Sequence, residues 1–401
     1  MKVLVVSPGL LPVPAVSGGA VETLMESLCK INESRKKLEL SVLSVWSAPA
    51  AKAAEQYTET SYRWVCVPQA AKALDDLIDR LLGNTAKAAS KHYLQKLFYL
   101  RQVKRCLDRE CYDAVVLQNS GYLLKAFRDK RLLEKYGRKI IYHLHNDIPT
   151  SADENVRNHC SFVLISGYLK KGVTELCGEA AVERCKVVKN GIHADRFAQK
   201  LSEQEKKQLR QQLGIDEDKK VIVFVGRLVP EKGVAELLNA IKKLNAPDIV
   251  LMVVGAATFG STVPTAFEQM LRETCNQIKD KVVFTGFVQN TSLWKYYALA
   301  DVAVLPSTGN EAAGLTILEA AAAGVPVITT DSGGIPEYLD RDKVIQLRND
   351  AKLEDQIVSA LRNVFENHHN SLEQARQTQQ YVKDVFSEEA FYERFVEAIK
   401  E

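Results

Sequence analysis

Residues 309–330 read GNEAAGLTILEAAAAGVPVITT, a run rich in Ala, Leu and Ile that carries two glutamates, Glu311 and Glu319. The pattern predicts a short buried helix, which Gly324 and Pro326 end, followed by a buried strand. A carboxylate in an apolar helix costs free energy unless a cation or a hydrogen-bond donor pairs with it. The partner of each glutamate is therefore either another part of the protein or a ligand, and we expect a ligand.

The same alternation of apolar strand and amphipathic helix runs along the whole chain. Continuous apolar runs, typical of parallel strands buried on both faces, predict strands at 2–7, 40–46, 62–68, 113–118, 139–144, 161–166, 220–226, 248–255, 281–286, 301–306, 325–330 and 343–347. Helical stretches lie between them, and a polar helix is predicted at 201–220. The fold class is thus α/β, with βαβ architecture twice over.

The length of 401 residues favours two domains. We expect a first domain at 1–195 and a second at 196–386. The amphipathic segment 387–401 predicts a terminal helix that packs back on the first domain.

The composition of the chain and the shortness of its apolar stretches favour a cytoplasmic protein. Hydrophobic residues make up 46% and charged residues 26%, as in ordinary soluble proteins. The opening MKVLVVSPG is too short for a signal peptide, and the most apolar stretch, 249–257, is too short to span a membrane. The eight cysteines form no CxxC pair, which argues against a zinc site and favours reduced thiols.

Charge is unevenly distributed between the two halves. Residues 1–200 hold 31 Lys and Arg against 21 Asp and Glu, whereas residues 201–401 hold 22 against 29. The stretch 84–105 carries six cations and no acid, and Leu94, Leu97, Phe98 and Val103 add apolar surface. We expect either peripheral contact with an anionic membrane or an ordinary surface helix, and we expect no nucleic-acid partner.

Three loops carry the candidate chemistry, because ligands of open parallel sheets bind beyond the carboxyl ends of the strands. In the first, Gly18 and Gly19 open a helix and let backbone amides approach an anion, although a tight turn would use the same residues. In the second, VGRLVPEKG (225–233), Arg227 and Lys232 suit a diphosphate. The alternative is a solvated turn in which Glu231 pairs with one of these cations.

The third loop is the opening segment. Glu311 precedes the predicted helix, and Ala313, Gly314 and Leu315 are expected to form its first turn, with free amides for a phosphate or a sugar. Glu319 lies about one turn deeper, where a carboxylate could accept from the two hydroxyls of a ribose. The alternative for Glu319 is a buried carboxylate bound to backbone or to Arg.

These motifs, in this order, resemble the retaining glycosyltransferases of family 4. The resemblance rests on GRLVPEKG (226–233), GFV (286–288) and two glutamates with seven residues between them (311 and 319), and extends to SGGAVETL (17–24), HLHND (143–147) and KNGIHADRF (189–197). It implies the GT-B fold, in which two Rossmann-like domains face each other across a cleft. LPVPAVSGGAVE (11–22) also resembles a bacterial subgroup of spore-coat and cell-surface polysaccharide transferases.

The resemblance assigns a role to each candidate residue. Catalytic roles fall to His145, Arg227, Lys232 and Glu311, and donor-binding roles to Gly18, Gly19, Gly226, Val288, Ala313, Gly314, Leu315 and Glu319. Arg227 and Lys232 would neutralise the leaving diphosphate, and Val288 would lie near the base. The histidine that reaches the donor sugar is either His145 or His143.

The implied reaction moves a sugar from a nucleotide-diphosphate sugar, a UDP-sugar in our expectation, to an acceptor hydroxyl with retention. We expect a lipid-linked or cell-surface glycan precursor as acceptor, and neither a metal nor another cofactor. Two alternatives stay open: a nucleotide-sugar 2-epimerase on the same fold, and an inactive transferase homologue that acts as a partner subunit.

Overall fold

The computed structural model describes residues 1–82, 92–149, 153–257 and 265–400. They form two compact units, each with its own parallel sheet. The first unit comprises Met1–Lys189 together with the chain from Phe391 onward, and the second comprises Asn190–Ala390.

The first unit is built on a parallel sheet of seven strands in the order β3-β2-β1-β4-β5-β6-β7. The strands are β1 (Lys2–Val6), β2 (Glu39–Val45), β3 (Thr60–Val65), β4 (Ala114–Gln118), β5 (Ile140–Leu144), β6 (Ser161–Leu164) and β7 (Cys185–Val187). Its helices are α1 (Ala20–Arg35), α2 (Ala48–Ala54), α3 (Gln69–Leu82), α4 (Tyr93–Arg109), α5 (Lys130–Tyr136), α6 (Glu154–Arg157) and α7 (Lys170–Cys177). The central strand β1 thus marks the point at which the strand order reverses.

The second unit repeats this plan with six parallel strands in the order β10-β9-β8-β11-β12-β13. The strands are β8 (Lys220–Val225), β9 (Ile249–Val254), β10 (Val282–Gly286), β11 (Val302–Leu305), β12 (Val327–Thr330) and β13 (Ile345–Leu347). The helices are α8 (Ala194–Phe197), α9 (Glu203–Leu213), α10 (Val234–Leu244), α11 (Ala266–Thr274), α12 (Leu293–Tyr297), α13 (Leu315–Ala322), α14 (Ile335–Tyr338), α15 (Leu353–Glu366) and α16 (His368–Val385). The reversal of strand order lies between β8 and β11.

Apolar periodicity explains how the helices pack. Leu24, Met25 and Leu28 of α1 are at most 5% exposed and join the core of the first sheet, because they recur on one helical face. In α10 the same spacing buries Val234 and Leu238 against the second sheet. The predicted strands are all present; β7 was not predicted, because it has three residues and two of them are exposed.

The last helix, α17 (Glu388–Lys400), contributes to the core of the first unit. Phe391, Tyr392 and Phe395 are at most 1% exposed there, and the Tyr392 hydroxyl lies 2.6 Å from Asn32 Oδ1. Arg394 donates to the backbone oxygen of Lys189 at 3.0 Å. None of the described helices combines the length and the apolar character that crossing a bilayer requires.

The division between the units falls after Lys189, earlier than the expected boundary at 195/196. The residues just after this division form hydrogen bonds within the second unit. The Asn190 amide donates to the Tyr338 hydroxyl at 3.0 Å, and the Ile192 amide donates to the Phe386 oxygen at 2.8 Å. These bonds attach the connecting segment to α14 and to the end of α16, a long-range pairing that the local sequence does not reveal.

Candidate functional site

Two loops meet where the strand order of the second sheet reverses. One follows β8 and the other follows β11, and these strands are neighbours in the sheet. The amides of Thr308 and Gly309 donate to the Glu231 oxygen at 2.9 and 3.0 Å, which joins the loops through their backbones. Gly233 has a φ of 69°, and a Cβ there would collide with the Pro306 oxygen, so only glycine permits this approach.

The joined loops bring Lys232 and Glu311 together as an ion pair. Lys232 Nζ contacts Glu311 Oε2, and the Ser307 hydroxyl lies 3.4 Å from the same oxygen. Both charged side chains retain some solvent exposure, 24% for Lys232 and 19% for Glu311. Glu311 therefore has a protein partner, and our expectation that only a ligand pairs with it is wrong. Lys232 pairs with Glu311 rather than with Glu231.

Arg227 stands apart from this pair. Its side chain is exposed, and it has no ion-pair partner among the residues the structure describes. Gly226, just before it, is held by its amide, which donates to the Val254 oxygen at 3.1 Å. A guanidinium in this position, directly beyond a buried strand, is available to a ligand phosphate.

The backbone around Glu311 is fixed by the loop that follows β12. The Gly334 amide donates to the Glu311 oxygen at 2.7 Å, and a Cβ at Gly333 would collide with that oxygen. The helix α13 begins at Leu315, with Gly314 as its N-cap at a φ of 71°. Ala313 and Gly314 thus precede the helix instead of forming its first turn, because the left-handed glycine interrupts the helical backbone.

Glu319 lies inside α13, 7% exposed, with a protein donor at each oxygen. Asn290 Nδ2 donates to Oε1 at 3.1 Å, and the Tyr297 hydroxyl donates to Oε2 at 3.2 Å. Our expectation that a ligand alone supplies these donors is wrong. Burial raises the pKa of Glu319 to about 7, although Tyr297 and Asn290 act in the opposite direction. Val288 is half-buried in the loop after β10, two residues before Asn290.

In the first unit, Gly18 and Gly19 precede α1 as expected. Their φ values of 79° and 102° favour glycine at both positions. Gly18 has open space around it, whereas a Cβ at Gly19 would collide with the carboxylate of Glu22. Glu22 is 5% exposed, and burial raises its pKa to about 7. An anion that approaches Gly19 would therefore meet Glu22 as well.

His145 and His143 lie at the carboxyl end of β5, with ring centroids 4.2 Å apart. His145 Nε2 lies 2.9 Å from Gln118 Oε1, to which it donates in the tautomer protonated at Nε2. Its backbone amide donates to Asn119 Oδ1 at 3.0 Å. Burial lowers the pKa of His145 to about 3, so the ring is neutral at physiological pH.

His143 differs from His145 in having no hydrogen-bond partner at either ring nitrogen among the described residues. It is 1% exposed and packs against Phe395 of α17, with ring centroids 5.9 Å apart. This environment is that of a core side chain. His145, just beyond the strand, is the better placed of the two for contact with a ligand.

Sequence reasoning missed the residues that hold these groups in place. They are Gln118 and Asn119 around His145, Glu22 over Gly19, and Asn290 and Tyr297 around Glu319. Asn119 and Asn290 carried a local signal, since each is a polar side chain in the loop beyond a predicted strand. In the described part of the chain, no group of three or more His, Cys, Asp or Glu side chains could hold a metal ion.

Known proteins resemble this chain in sequence and in fold. Residues 205–383 match the family described as "Glycosyl transferases group 1". The chain is 35% identical over 186 residues to an uncharacterized glycosyltransferase of Methanocaldococcus jannaschii, a match that covers 46% of this chain and 45% of that protein. It is 24% identical over 357 residues to spore coat protein SA of Bacillus subtilis, covering 86% and 84%.

Among solved structures, Anabaena HepE in complex with UDP aligns over 100% of both chains with a TM-score of 0.74. Sequence identity is 19%, so this likeness shows the fold, which is GT-B. The resemblance to glycosyltransferases is thereby confirmed, and it is strongest in residues 205–383, which match the glycosyl transferases group 1 family.

Proposed function

We propose that this protein transfers a sugar from a nucleoside diphosphate sugar, with UDP as the nucleotide, to an acceptor hydroxyl and retains the anomeric configuration. The observation that carries the proposal is the position of Arg227, Lys232 and Glu311. They lie in the loops that follow β8 and β11, where the strand order of the second sheet reverses. That position is where open α/β sheets bind ligands. The family of residues 205–383 and the UDP complex of HepE support the same substrate class.

The cations suit the leaving group. When the bond between the anomeric carbon and the diphosphate breaks, Arg227 and Lys232 stabilise the charge that develops on the phosphate oxygens. The acceptor oxygen bonds to the same face of the anomeric carbon, and its proton passes to a leaving phosphate oxygen. This scheme needs no protein nucleophile.

Glu311 is the carboxylate that a double displacement would use as nucleophile. Its pairing with Lys232 and its contact with Ser307 favour a binding role instead, because a carboxylate whose charge is stabilised by a cation is a weaker nucleophile. We assign Glu311 to the donor sugar and Glu319 to the ribose. His145, as a neutral imidazole, can hydrogen-bond a sugar hydroxyl without adding a positive charge near the anomeric carbon.

The test is calorimetric titration with UDP, GDP and ADP, followed by turnover of the sugar donor that carries the tightest-binding nucleotide. We expect UDP to bind and its donor to be hydrolysed slowly without an acceptor. Lys220→Ala is a control, since Lys220 lies at the opposite end of β8 from Arg227 and pairs with Asp248. Conversion of the donor into an isomer would instead indicate an epimerase, and the absence of nucleotide binding would indicate an inactive homologue.

We further propose that the acceptor is lipid-linked and that α3 and α4 contact the membrane surface. Four large apolar side chains on these packed helices are 46–62% exposed: Leu74, Leu77, Tyr93 and Leu97. The described part of the basic stretch adds Lys96, Arg101, Lys104 and Arg105, and its residues 84–91 lie outside the described residues. Val103, which we expected on the surface, is fully buried.

Vesicle co-sedimentation tests this surface. Binding should require anionic lipid, fall with salt and weaken in a Leu74→Ser/Leu77→Ser variant. Met270→Ser is the matched control, because Met270 is 42% exposed on α11 of the second unit. Equal recovery with neutral vesicles would refute the proposal.

A further inference from the structure

Glu319 is the end of a chain of side chains that begins at Arg196. Arg196 Nη1 donates to Asn290 Oδ1 at 3.2 Å, and Asn290 Nδ2 donates to Glu319 Oε1 at 3.1 Å. The three residues come from α8, from the turn after β10 and from α13. They are far apart in sequence and are brought together within the second unit.

The chemistry of these groups fixes the orientation of the Asn290 amide. A guanidinium has five donors and no acceptor, so the side that faces Arg196 must be the amide oxygen. The amide nitrogen is then directed at Glu319, where it can only donate. Without Arg196 the amide could rotate and present its oxygen to the carboxylate, which would place two acceptors against each other.

The second donor to Glu319 is weaker than the distance alone suggests. The Tyr297 hydroxyl has one hydrogen and lies 3.2 Å from both Glu319 Oε2 and the Thr316 oxygen. That hydrogen is therefore shared between two acceptors, whereas Asn290 is fully committed to Oε1. Asn290 thus contributes most to the position of the carboxylate.

The charge that acts on Glu319 comes from Arg196. Arg196 and Tyr297 are the charged or titratable groups that act on Glu319, and α13 has no other ionisable side chain. Asp195, beside Arg196, is paired with Lys383 of α16 at 2.7 Å. Arg196 is therefore the cation of this network, and it lowers the pKa that burial raises.

We propose that Asn290, oriented by Arg196, is a positioning residue that directs the Glu319 carboxylate towards the two adjacent hydroxyls of a nucleotide ribose. The inference rests on the proposed function, since it concerns the same nucleotide site. It adds Asn290, which lies in none of the quoted motifs, and gives a role to Arg196 of KNGIHADRF (189–197), to which no role was assigned. Because Asn290 acts through Glu319, its removal should have little effect once the carboxylate is gone.

The experiment is a double-mutant cycle of UDP affinity, measured by calorimetry from pH 5.5 to 8.5, with Asn290→Ala and Glu319→Gln. Asn290→Ala alone should weaken UDP binding about tenfold, the value of a hydrogen bond to a charged group. It should also move the pH midpoint of binding upwards, because the Asn290 hydrogen bond lowers the pKa of Glu319. In the Glu319→Gln background the same change should have almost no further effect. Arg196→Met should resemble Asn290→Ala, and Gln289→Ala, an exposed neighbour, should bind as the wild type does.

Two results of the Asn290→Ala measurements would overturn the inference alone. If Asn290→Ala weakens UDP binding equally in both backgrounds, Asn290 acts independently of Glu319. If it lowers the melting temperature without moving the pH midpoint, its role is structural. A wild type that binds none of UDP, GDP and ADP would refute the proposed function together with this inference, whereas normal UDP binding with an additive cycle refutes the inference alone.

Discussion

Replacing Glu319 by glutamine should stabilise the unliganded protein at neutral pH and at the same time weaken its affinity for nucleotide. Glutamine has the same shape as glutamate and no charge to bury. Its oxygen can accept from Asn290, and its nitrogen can donate to the Tyr297 hydroxyl, which still donates to the Thr316 oxygen. Every polar atom in the buried group therefore keeps a partner.

The size of the stabilisation follows from the pKa. The carboxyl has a pKa of about 7 in the fold and an ordinary value of 4.5 when unfolded. The folded state therefore holds its proton more tightly, and wild-type stability falls as pH rises from about 4.5 through 7. This penalty is near zero at pH 4 and about 3 kcal/mol at pH 8, at about 1.36 kcal/mol for each pKa unit. Glutamine does not titrate and avoids it.

Thermal melts of both proteins between pH 4 and pH 8 test this reasoning. The variant should melt at nearly the wild-type temperature at pH 4 and roughly 6–12 °C higher at pH 8, by the usual scaling for a domain of about 200 residues. Glu373→Gln, an exposed change on α16, should show no such divergence. A Glu319→Gln variant that melts far below the wild type at pH 8 would refute the argument and make the carboxylate structural.

Affinity should change in the opposite direction. UDP binding should weaken by about 1.5–3 kcal/mol, because hydrogen bonds from the ribose hydroxyls to a charged acceptor are lost. UDP that lacks the 2′ and 3′ hydroxyls should bind the wild type about as poorly as UDP binds the variant. If the dideoxy nucleotide binds the wild type as tightly as UDP does, Glu319 does not contact the ribose.

The remaining predictions concern the other charged residues and the histidines. Arg227→Ala and Lys232→Ala should each cost about 2–4 kcal/mol of transition-state stabilisation in turnover of the sugar donor; wild-type rates in both would place the leaving group elsewhere. Glu311→Gln should spare UDP binding, measured by calorimetry, and depress turnover; a matching loss of UDP affinity would contradict a sugar-binding role. His143→Leu should leave turnover near the wild-type rate without lowering the melting temperature, since its ring nitrogens are buried and have no partner among the described residues, whereas His145→Ala should lower turnover. The reverse ranking in initial rates would make His143 the site histidine.

The fold follows from the sequence to a large extent, because continuous apolar runs separated by amphipathic helices leave few arrangements other than parallel sheets. The loops of Arg227, Lys232 and Glu311 are predictable for a related reason. Each follows a strand directly, and the carboxyl edge of a parallel sheet is set by chain direction alone.

The residues that pair with Glu319 and His145 are not predictable in this way. Asn290 and Tyr297 reach Glu319 from other elements, and Gln118 reaches His145 from a neighbouring strand. These pairings depend on helix placement to within an ångström or two, which residue patterns do not specify. The predicted start of α13 is too early, because the residues beside Gly314 give no sign of its left-handed conformation.

The return of α17 to the first sheet has a consequence for folding during synthesis. The core around β1 is complete only when Phe391, Phe395 and Ile399 are present, and these residues are translated after the entire second unit. The second unit can therefore fold while the chain is still being made, whereas the first must wait for the end of α17 to leave the ribosome. An isolated first unit should fold only if this helix is grafted after Lys189, where Arg394 already holds it by one hydrogen bond.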